Sequence, residues 1–379
     1  TIGFPTLTME IAPFAIEHFY ARYEFAAEHM LSSSDCESWS IEQLLALEPD
    51  APERLSALRL GYTEVRGSPE LREAIAATYE TIAPEDVLVL SCAEEAIFTV
   101  LHSLLRPGDH AVIETPCYGS ALEVARSTGA DVARWRRRFE DGWAYDVDAL
   151  HGALRAGTRL LYVNTPHNPT GTQMPAAVFE AVADVARERD VALLSDEVYR
   201  ELEHDPADRR PAACDVHPRG ISLGSVSKTY GLPGLRLGWI ATRDPQLLRA
   251  VEALKLYTTI CSSAPSELLA AIAVRNRGAL IGRNLELVRR NLPLVAALVE
   301  ARAELLSWVE PTAGPIAFPR VSPPADAASL CDELVEQASV LLLPGSVFGQ
   351  PQHVRVGFGR VGLPEALARF DEYLDRRAA

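Results

Sequence analysis

Lysine is nearly absent from this chain of 379 residues. Only Lys228 and Lys255 occur, against 34 arginines. An arginine side chain stays protonated, whereas a partly desolvated lysine can lose its proton and act as a nucleophile. Because the chain draws almost all of its positive charge from arginine, Lys228, which lies before a run of glycines, raises the question of what an amine does there that a guanidinium cannot.

Other absences exclude whole classes of protein. No apolar run approaches the ~18 residues expected of a membrane span. The N-terminal stretch "TIGFPTLTMEIAPF" has no basic segment followed by an apolar core, so we expect no secretory signal and a cytoplasmic protein. The net charge of −16 argues against a nucleic-acid backbone or an anionic membrane as the main partner.

The cysteine and glycine patterns exclude further kinds of site. The six cysteines lie far apart with no C-x-x-C pair, so we predict neither a zinc site nor a disulfide framework, and no metal site elsewhere. The cysteines are expected to be small buried hydrophobes. No G-x-G-x-x-G follows the early strands, which argues against a nicotinamide dehydrogenase.

Short apolar runs alternate with helical periodicities through the middle of the chain. Strands are predicted at residues 86–91, 110–114, 158–164, 191–196, 220–225 and 235–242, and helices follow the first and third of these. Because the runs lack polar alternation, each strand is expected to be buried on both faces, as in a parallel sheet. The strand–helix–strand order predicts an α/β fold with a doubly wound sheet.

A second, smaller α+β unit is predicted after the sheet. Long helical stretches cover residues 244–257 and 280–306, strand-like pieces follow, and a helix covers 363–377. The start, roughly 13–48, is predicted to be helical, with Ser40 and Gln43 spaced as a capping box. The predicted division is an N-terminal arm and helix that join the small domain, a large domain, and a small C-terminal domain, at residues 1–48, 49–275 and 276–379.

One of the two lysines lies in the stretch "GSVSKTYGLPGLRLGW" (224–239), directly after a predicted strand. In open α/β sheets, ligands bind outside the carboxyl ends of the strands. Ser225 and Ser227 supply hydroxyls and Arg236 supplies a fork-shaped cation, a set that suits a phosphate. A nucleophilic amine, Lys228, beside a phosphate site predicts a cofactor with both an aldehyde and a phosphate. Pyridoxal 5′-phosphate (PLP) has both.

This stretch resembles the PLP-attachment signature of the class I and II aminotransferases, which are fold-type I PLP enzymes. Small residues precede Lys228, and the pattern Gly-Leu-x-Gly-x-Arg-Leu-Gly follows it. The resemblance runs from about residue 60 to 360. It implies a large, mostly parallel seven-stranded sheet domain, a smaller α+β domain, and a Schiff base between Lys228 and the cofactor. A glycine-rich turn with an incidental lysine is the alternative.

Further motifs occur in the family's order. Asp196, at the end of "VALLSD", is implied to pair with the pyridine nitrogen, and Tyr199 to bond the phenolic oxygen. Asn168, in "NTPHNPTG", is implied to be the second partner of that oxygen and a substrate contact, although Thr165 stands where the family has proline. Tyr118, in "ETPCYGSAL", is implied to stack on the ring. The alternatives are a helix N-cap for Asp196, core positions for the tyrosines and an ordinary turn around Asn168.

Weaker matches complete the implied site. Ala93 and Glu94 occupy the place of the family's glycine-rich turn, whose amides hold the phosphate, but Cys92 and Ala93 replace the usual glycines. Tyr62 is implied to reach the phosphate in a neighbouring subunit, which predicts a homodimer. Arg355, in "HVRVGFG", is implied to bind the substrate α-carboxylate, and an arginine in a surface ion pair is the alternative.

The function implied by the resemblance is an aminotransferase that acts on an L-amino acid and a 2-oxo acid. The same parts serve elimination or cyclisation, because the cofactor carries the chemistry and the pocket chooses the bond. The run "SSSDCESWS" (32–40) is similar to capreomycidine-synthase-like members, so a non-transaminating PLP enzyme is the second hypothesis, although the run also suits a solvated turn. A regulator that binds PLP without turnover is disfavoured, because residues 1–60 contain no basic helix-turn-helix.

Overall fold

A computed structural model describes residues 10–323 and 326–378 of the protein. The predicted N-terminal arm begins at residue 1, and its first nine residues lie outside the described ranges. Residues 324, 325 and 379, in the predicted C-terminal domain, also lie outside them.

Seven of the strands in the described ranges form one mixed sheet. In chain order the strands are β1 (His29–Met30), β2 (Val87–Leu90), β3 (His110–Thr115), β4 (Asp131–Arg136), β5 (Thr158–Asn164), β6 (Ala192–Asp196), β7 (Gly220–Ser225), β8 (Gly238–Ala241), β9 (Leu306–Ser307), β10 (Ile316–Ala317), β11 (Arg320–Val321), β12 (Val340–Leu341), β13 (Leu343–Pro344) and β14 (Val354–Gly357). The large sheet has the order β2–β8–β7–β6–β5–β3–β4. Strand β8 runs opposite to the other six strands of this sheet, so the prediction of a mostly parallel, seven-stranded α/β sheet is confirmed.

Helices cover the sheet and build the rest of the described chain. They are α1 (Ala15–Tyr23), α2 (Ile41–Leu45), α3 (Ala51–Ala57), α4 (Pro69–Ala76), α5 (Ala93–Leu104), α6 (Gly119–Ser127), α7 (Val147–Ala153), α8 (Ala176–Glu188), α9 (Ala213–Val216), α10 (Pro245–Lys255), α11 (Ala264–Arg275), α12 (Arg277–Ala301), α13 (Ala327–Ala338) and α14 (Leu363–Ala378). None of them is long and apolar enough to cross a membrane.

Apart from the edge strand β4, the large sheet is buried on both faces. Along β5, Leu160 and Tyr162 belong to one hydrophobic core, whereas Leu161 and Val163 belong to another. Helices α5, α6 and α10 contribute to the first core, and α7 and α8 to the second. Two buried faces explain why the strands read as unbroken apolar runs.

Polar residues stand where three neighbouring strands end. Strand β5 ends at Asn164, β6 at Asp196 and β7 at Ser225. Asn164 and Asp196 are paired in register, and Lys228 follows the end of β7 by three residues. Because these strands are parallel, their ends bring these side chains to one edge of the sheet.

Smaller sheets lie near the two ends of the chain. Strands β10, β14 and β13 form an antiparallel sheet, β9 pairs with β11, and β1 pairs in parallel with β12. The pairing of β1 links the N-terminal segment to the C-terminal part of the chain. The boundaries at residues 48/49 and 275/276 stay predictions.

The expectation of a helical start over roughly 13–48 is wrong between α1 and α2. Residues 24–40 contain β1 and an extended loop instead. This segment bonds to distant backbone, since Leu31 N donates to Leu341 O at 3.0 Å and Gly357 N donates to Leu31 O at 2.7 Å. The predicted capping box is present, with Ser40 and Gln43 bonded reciprocally at the start of α2.

Candidate active site

A pocket of about 440 Å³ lies at the carboxyl ends of β5, β6 and β7. Eleven of the residues predicted from the sequence line it: Ala93, Glu94, Tyr118, Asn168, Asp196, Tyr199, Ser225, Ser227, Lys228, Arg236 and Arg355. The exception is Tyr62. Residues from both ends of the sequence therefore converge on one cavity.

Lys228 presents its amine to this pocket. Its Nζ donates a hydrogen bond to the Ser34 hydroxyl at 2.8 Å. Burial lowers the pKa of the Lys228 amine, and the positive charges of Arg355 and Arg236 lower it further, while the Asp35 carboxylate opposes them. A lower pKa increases the fraction of neutral amine, which is the nucleophilic form.

Asp196 is a buried carboxylate at the end of β6. It accepts hydrogen bonds from the Tyr162 hydroxyl at 3.0 Å and from the Val198 amide at 3.2 Å. Burial raises the pKa of Asp196 to about 6, and both hydrogen bonds act in the opposite direction. Turn residues rather than a helix follow Asp196, so the helix N-cap alternative does not apply.

Arg355, on β14, is 2% exposed and carries no ion pair to a described carboxylate. Its Nη1 donates to Asn168 Oδ1 at 3.2 Å, and its Nη2 donates to the Tyr20 hydroxyl at 2.7 Å and to Ser32 O at 2.9 Å. Its Nε is buried and has no partner within the described ranges. A buried cation with an unused donor fits an anionic ligand. The surface ion-pair alternative for this arginine is therefore wrong.

The turn before helix α5 packs directly on strand β8. Cys92 is the N-cap of α5, and Ala93 and Glu94 are its first two residues. The Glu94 carboxylate accepts a hydrogen bond from Ser120, so its side chain is directed to helix α6, and burial raises the pKa of Glu94. A Cβ on Gly238 would lie 2.9 Å from Ala93 N. Glycine at that position lets the N-terminus of helix α5 approach the sheet, while the Glu95 amide in its first turn donates to Cys92 Sγ at 3.4 Å.

The hydroxyls and the arginine predicted for phosphate binding lie beside this turn. Ser225 Oγ lies 3.0 Å from both Ser227 Oγ and Leu237 O. Arg236 has a φ of 49°, in the left-handed region that a side chain other than glycine rarely adopts. Strained backbone of this kind clusters at functional sites.

Two of the tyrosines that line the pocket, Tyr118 and Tyr199, were predicted from the sequence. The Tyr118 hydroxyl donates to Glu17 Oε1 at 2.8 Å, and the Phe14 ring packs edge-on against it with centroids 5.0 Å apart. Tyr199 is 2% exposed, and burial raises the pKa of its hydroxyl, while the nearby Ser34 hydroxyl lowers that pKa without forming a full hydrogen bond within the described ranges. An unpartnered buried hydroxyl is ready to bond to a ligand oxygen.

Several pocket residues were not found from the sequence. Three of them are Glu17, Tyr20 and Glu24. Their spacing of i, i+3, i+7 places them on one face of α1, with Glu24 directly after the last residue of the helix. Asp35 lines the pocket as well and accepts two hydrogen bonds from Arg360, at 3.0 and 2.9 Å. The spacing on α1 was visible in the sequence, but only the tertiary structure shows which cavity that face lines.

Tyr62 lies away from this pocket and is 93% exposed. The neighbouring Thr63 hydroxyl donates to Ser262 O at 2.8 Å, which joins two surface segments. These segments also expose Leu60 (83%) and Tyr257 (91%).

The pocket fits PLP group by group. The Lys228 amine, whose pKa is lowered, suits the aldehyde, and the buried Asp196 carboxylate suits the ring nitrogen. The Tyr199 hydroxyl suits the phenolic oxygen. The N-terminus of α5, beside the hydroxyls of Ser225 and Ser227, suits the phosphate. No group of PLP needs the buried guanidinium, so its free Nε is available to bind a carboxylate.

Comparisons with known proteins agree with this fit. The relatives include capreomycidine synthase of Streptomyces vinaceus, 33% identical over 96% of this chain and 94% of the relative, and arginine–pyruvate transaminase of Pseudomonas aeruginosa, 30% identical over 81% of each chain. Among solved structures, a PLP-dependent aminotransferase from Streptococcus suis superposes with a TM-score of 0.91 at 29% identity, over 97% of this chain and 98% of that one. The PLP-dependent cyclase OrfR has a TM-score of 0.89 at 32% identity with the same coverage.

The family model described as aminotransferase class I and II matches residues 31–369. That range includes every residue predicted for the site, and it also includes Asp35 and Arg360, which line the pocket as well. With a match of this length, the chain belongs to the class I and II aminotransferases, and its cofactor is PLP.

Proposed function

We propose that the protein transfers the amino group of an L-amino acid to a 2-oxo acid. The observation that carries this proposal is the convergence of Lys228, Asp196 and Arg355 on one pocket. Bound PLP supplies an electron sink for the bonds at the substrate Cα. Lys228 attaches the cofactor, gives way to the substrate amine, and then moves a proton as general base and acid.

Arg355 is proposed to orient the substrate through its α-carboxylate. A carboxylate can accept a hydrogen bond from the unpartnered Nε, and the Nη1 N–H that does not bond to Asn168 is a second donor. Asn168 and Tyr20 hold the guanidinium at 3.2 and 2.7 Å, so its plane is fixed before the substrate arrives. A fixed plane reduces the entropy lost on binding and directs the Cα–H bond to Lys228.

The remaining predicted residues are proposed to hold the cofactor. Asp196 stabilises positive charge at the ring nitrogen, Tyr199 and Asn168 bond the phenolic oxygen, and Tyr118 stacks on the ring. The phosphate is proposed to be bound by one group of residues: the amides of Ala93 and Glu94, the hydroxyls of Ser225 and Ser227, and the Arg236 guanidinium.

A cationic side chain is proposed for the substrate. Glu17, Glu24, Asp35 and Glu94 all line the pocket. Burial raises the pKa of Glu24, and the charges of Glu17 and Asp35 raise it further, so the carboxylates repel one another. A bound cation relieves this repulsion. The name of the relative arginine–pyruvate transaminase supports the same class of substrate.

A homodimer with shared sites is proposed as the working unit. Tyr62, with its ring in solvent in this chain, would reach the phosphate bound by a second copy. The exposed apolar side chains of Leu60 and Tyr257 would be buried between the two copies.

A non-transaminating PLP reaction, such as cyclisation, is the second candidate. Its support is the similarity to capreomycidine synthase and to the cyclase OrfR, at 33% and 32% identity. The residues of the pocket serve either outcome, because the fate of the substrate is decided after the α-proton has left.

The two candidates differ in their products. The protein should be incubated with PLP, a panel of L-amino acids that includes arginine, lysine, aspartate and leucine, and pyruvate as 2-oxo acid. We expect a new 2-oxo acid and alanine from the cationic substrates, and none with Lys228→Arg, which keeps the charge but cannot attach the cofactor. A cyclic or unsaturated product without alanine would contradict transamination and favour the second candidate.

A further inference from the structure

The Lys228 amine has a hydrogen-bond partner to which the proposed function gives no role. Nζ donates to the Ser34 hydroxyl at 2.8 Å. Lys228 moves a proton as a free amine in the proposed function, so a group that bonds to the free amine controls both its position and its affinity for a proton.

Ser34 is fixed on both sides along the chain. On one side, Arg355 Nη2 donates to Ser32 O at 2.9 Å. On the other, Arg360 Nη2 donates to both carboxylate oxygens of Asp35 at 3.0 and 2.9 Å. The segment that carries Ser34 is therefore held by the same part of the chain as the arginine proposed to bind the substrate.

The backbone packing leaves this segment little room to move. A Cβ on Gly357, at the end of β14, would lie 1.9 Å from Ser33 O, so the segment touches the strand backbone directly. Close packing of this kind restricts the movement of the segment, so the Ser34 hydroxyl keeps its position relative to the Lys228 amine.

Charged groups also surround the amine. They are Glu17, Glu24, Asp35 and Asp196, which are acidic, and Arg236 and Arg355, which are basic. The net effect of burial and charge is to lower the pKa of Lys228. A hydroxyl oxygen accepts a stronger hydrogen bond from an ammonium than from a neutral amine, so Ser34 acts in the opposite direction.

We propose that Ser34 is a positioning residue that holds the released Lys228 amine where it can take the substrate α-proton and deliver it to the acceptor carbon. In the first step the Cα–H bond breaks, an N–H bond forms on Nζ, and the electron pair stays on the substrate and cofactor. In the second step the N–H bond breaks, the electron pair left on the substrate and cofactor forms a C–H bond at the acceptor carbon, and Nζ returns to the neutral amine. Ser34 accepts a hydrogen bond throughout and neither gains nor loses a proton. This inference rests on the proposed function.

The pKa of Lys228 can be measured directly, because the chain has only two lysines. When lysine is labelled with ¹³C and ¹⁵N in the full-length, cofactor-free protein, NMR shows two lysine side-chain signals. The signal that remains in a Lys255→Arg variant is that of Lys228. We expect Ser34→Ala to lower the proton affinity of Lys228 about tenfold, or about one pKa unit, since a hydrogen bond to a charged group is lost. Ser34→Thr keeps the hydroxyl and should restore the parent value. Ser38→Ala, at an exposed position of the same segment, is the matched control.

Kinetics supply a second readout. If the parent transaminates, Ser34→Ala should lower kcat about tenfold and leave KM nearly unchanged, because Ser34 bonds the amine and not the substrate carboxylate. If the pKa of Lys228 is the same in Ser34→Ala as in the parent, the proposal is overturned. If Ser34→Ala does not fold, Ser34→Cys is measured in its place. A parent protein that transaminates nothing overturns the proposed function instead, and the titration distinguishes the two failures.

Discussion

A methyl group added at Gly238 should weaken cofactor binding through the phosphate. A Cβ there would lie 2.9 Å from Ala93 N and from Cys92 C, and 3.0 Å from Gly224 O. Ordinary contacts to carbon are about 3.5–4.0 Å, so backbone has to move by roughly half an ångström. Overpacking of this size costs about 1–3 kcal/mol. If that cost falls on the first turn of α5, the affinity for PLP drops about 5- to 150-fold.

The assay is a titration of cofactor-free protein with PLP, followed by absorbance, with Gly234→Ala as the matched control. A methyl group on Gly234 would have no heavy atom within 4 Å, so the affinity of this variant should stay within about twofold of the parent. Pyridoxal, which lacks the phosphate, should bind Gly238→Ala and the parent equally well. Parent-like affinity for PLP in a folded Gly238→Ala protein would refute the assignment of the Ala93–Glu94 amides to the phosphate.

Three further predictions concern the carboxylate, the ring nitrogen and the dimer. Arg355→Gln should lower kcat/KM about 10- to 150-fold, mainly through KM, since a charged hydrogen-bonded pair is lost; steady-state kinetics check this. Burial raises the pKa of Asp196 to about 6, so its carboxyl is neutral below that pH and the affinity for PLP should fall as the pH falls. Equilibrium titrations should show that Asp196→Asn binds PLP weakly and that its affinity does not depend on pH in this way. Mixing Lys228→Ala with Tyr62→Ala protein should regain activity in mixed dimers that contain one intact site, whereas no regain at any mixing ratio would contradict a shared site.

Six of the seven strands of the large sheet could be predicted closely from the sequence, because they bury both faces. The seventh, β4 (Asp131–Arg136), was not predicted, because it lies at the edge of the sheet and only one of its residues is buried. Thr158–Asn164 and Gly220–Ser225 have the predicted bounds, and Ala192–Asp196 differs by one residue. Unbroken apolar runs between helices leave few alternatives for such segments. The strand predicted at 235–242 is shorter, because Pro233–Leu235 forms a 3-10 turn and Arg236 is left-handed.

The segment between α1 and α2 could not be predicted in the same way. Apart from the two residues of β1, it forms no regular element, and its conformation depends on contacts with β14 and with Arg360, more than 300 positions away. Hydrophobic periodicity carries no information about such contacts. For the same reason the sequence did not show that Ser34 bonds to Lys228 or that Tyr20 bonds to Arg355.

The site residues, too, fall into those recognised from local motifs and those placed by tertiary contacts. Lys228 and Asp196 lie in local motifs whose chemistry can be recognised from residue types alone, and both line the pocket. Glu17 and Glu24 reach that pocket only because α1 packs beside it, which a single sequence does not specify.

The attachment of the cofactor to Lys228 is the central claim, and the scarcity of lysine makes it simple to test. The protein should be incubated with PLP and treated with borohydride, which makes the link between an amine and the cofactor permanent, and the labelled peptide identified by mass spectrometry. Burial lowers the pKa of both lysines, but we predict one label, on Lys228, because only its amine faces the pocket. Lys255 is buried, and its Nζ donates to Val65 O. A label on Lys255, or no label on either lysine, would contradict the account.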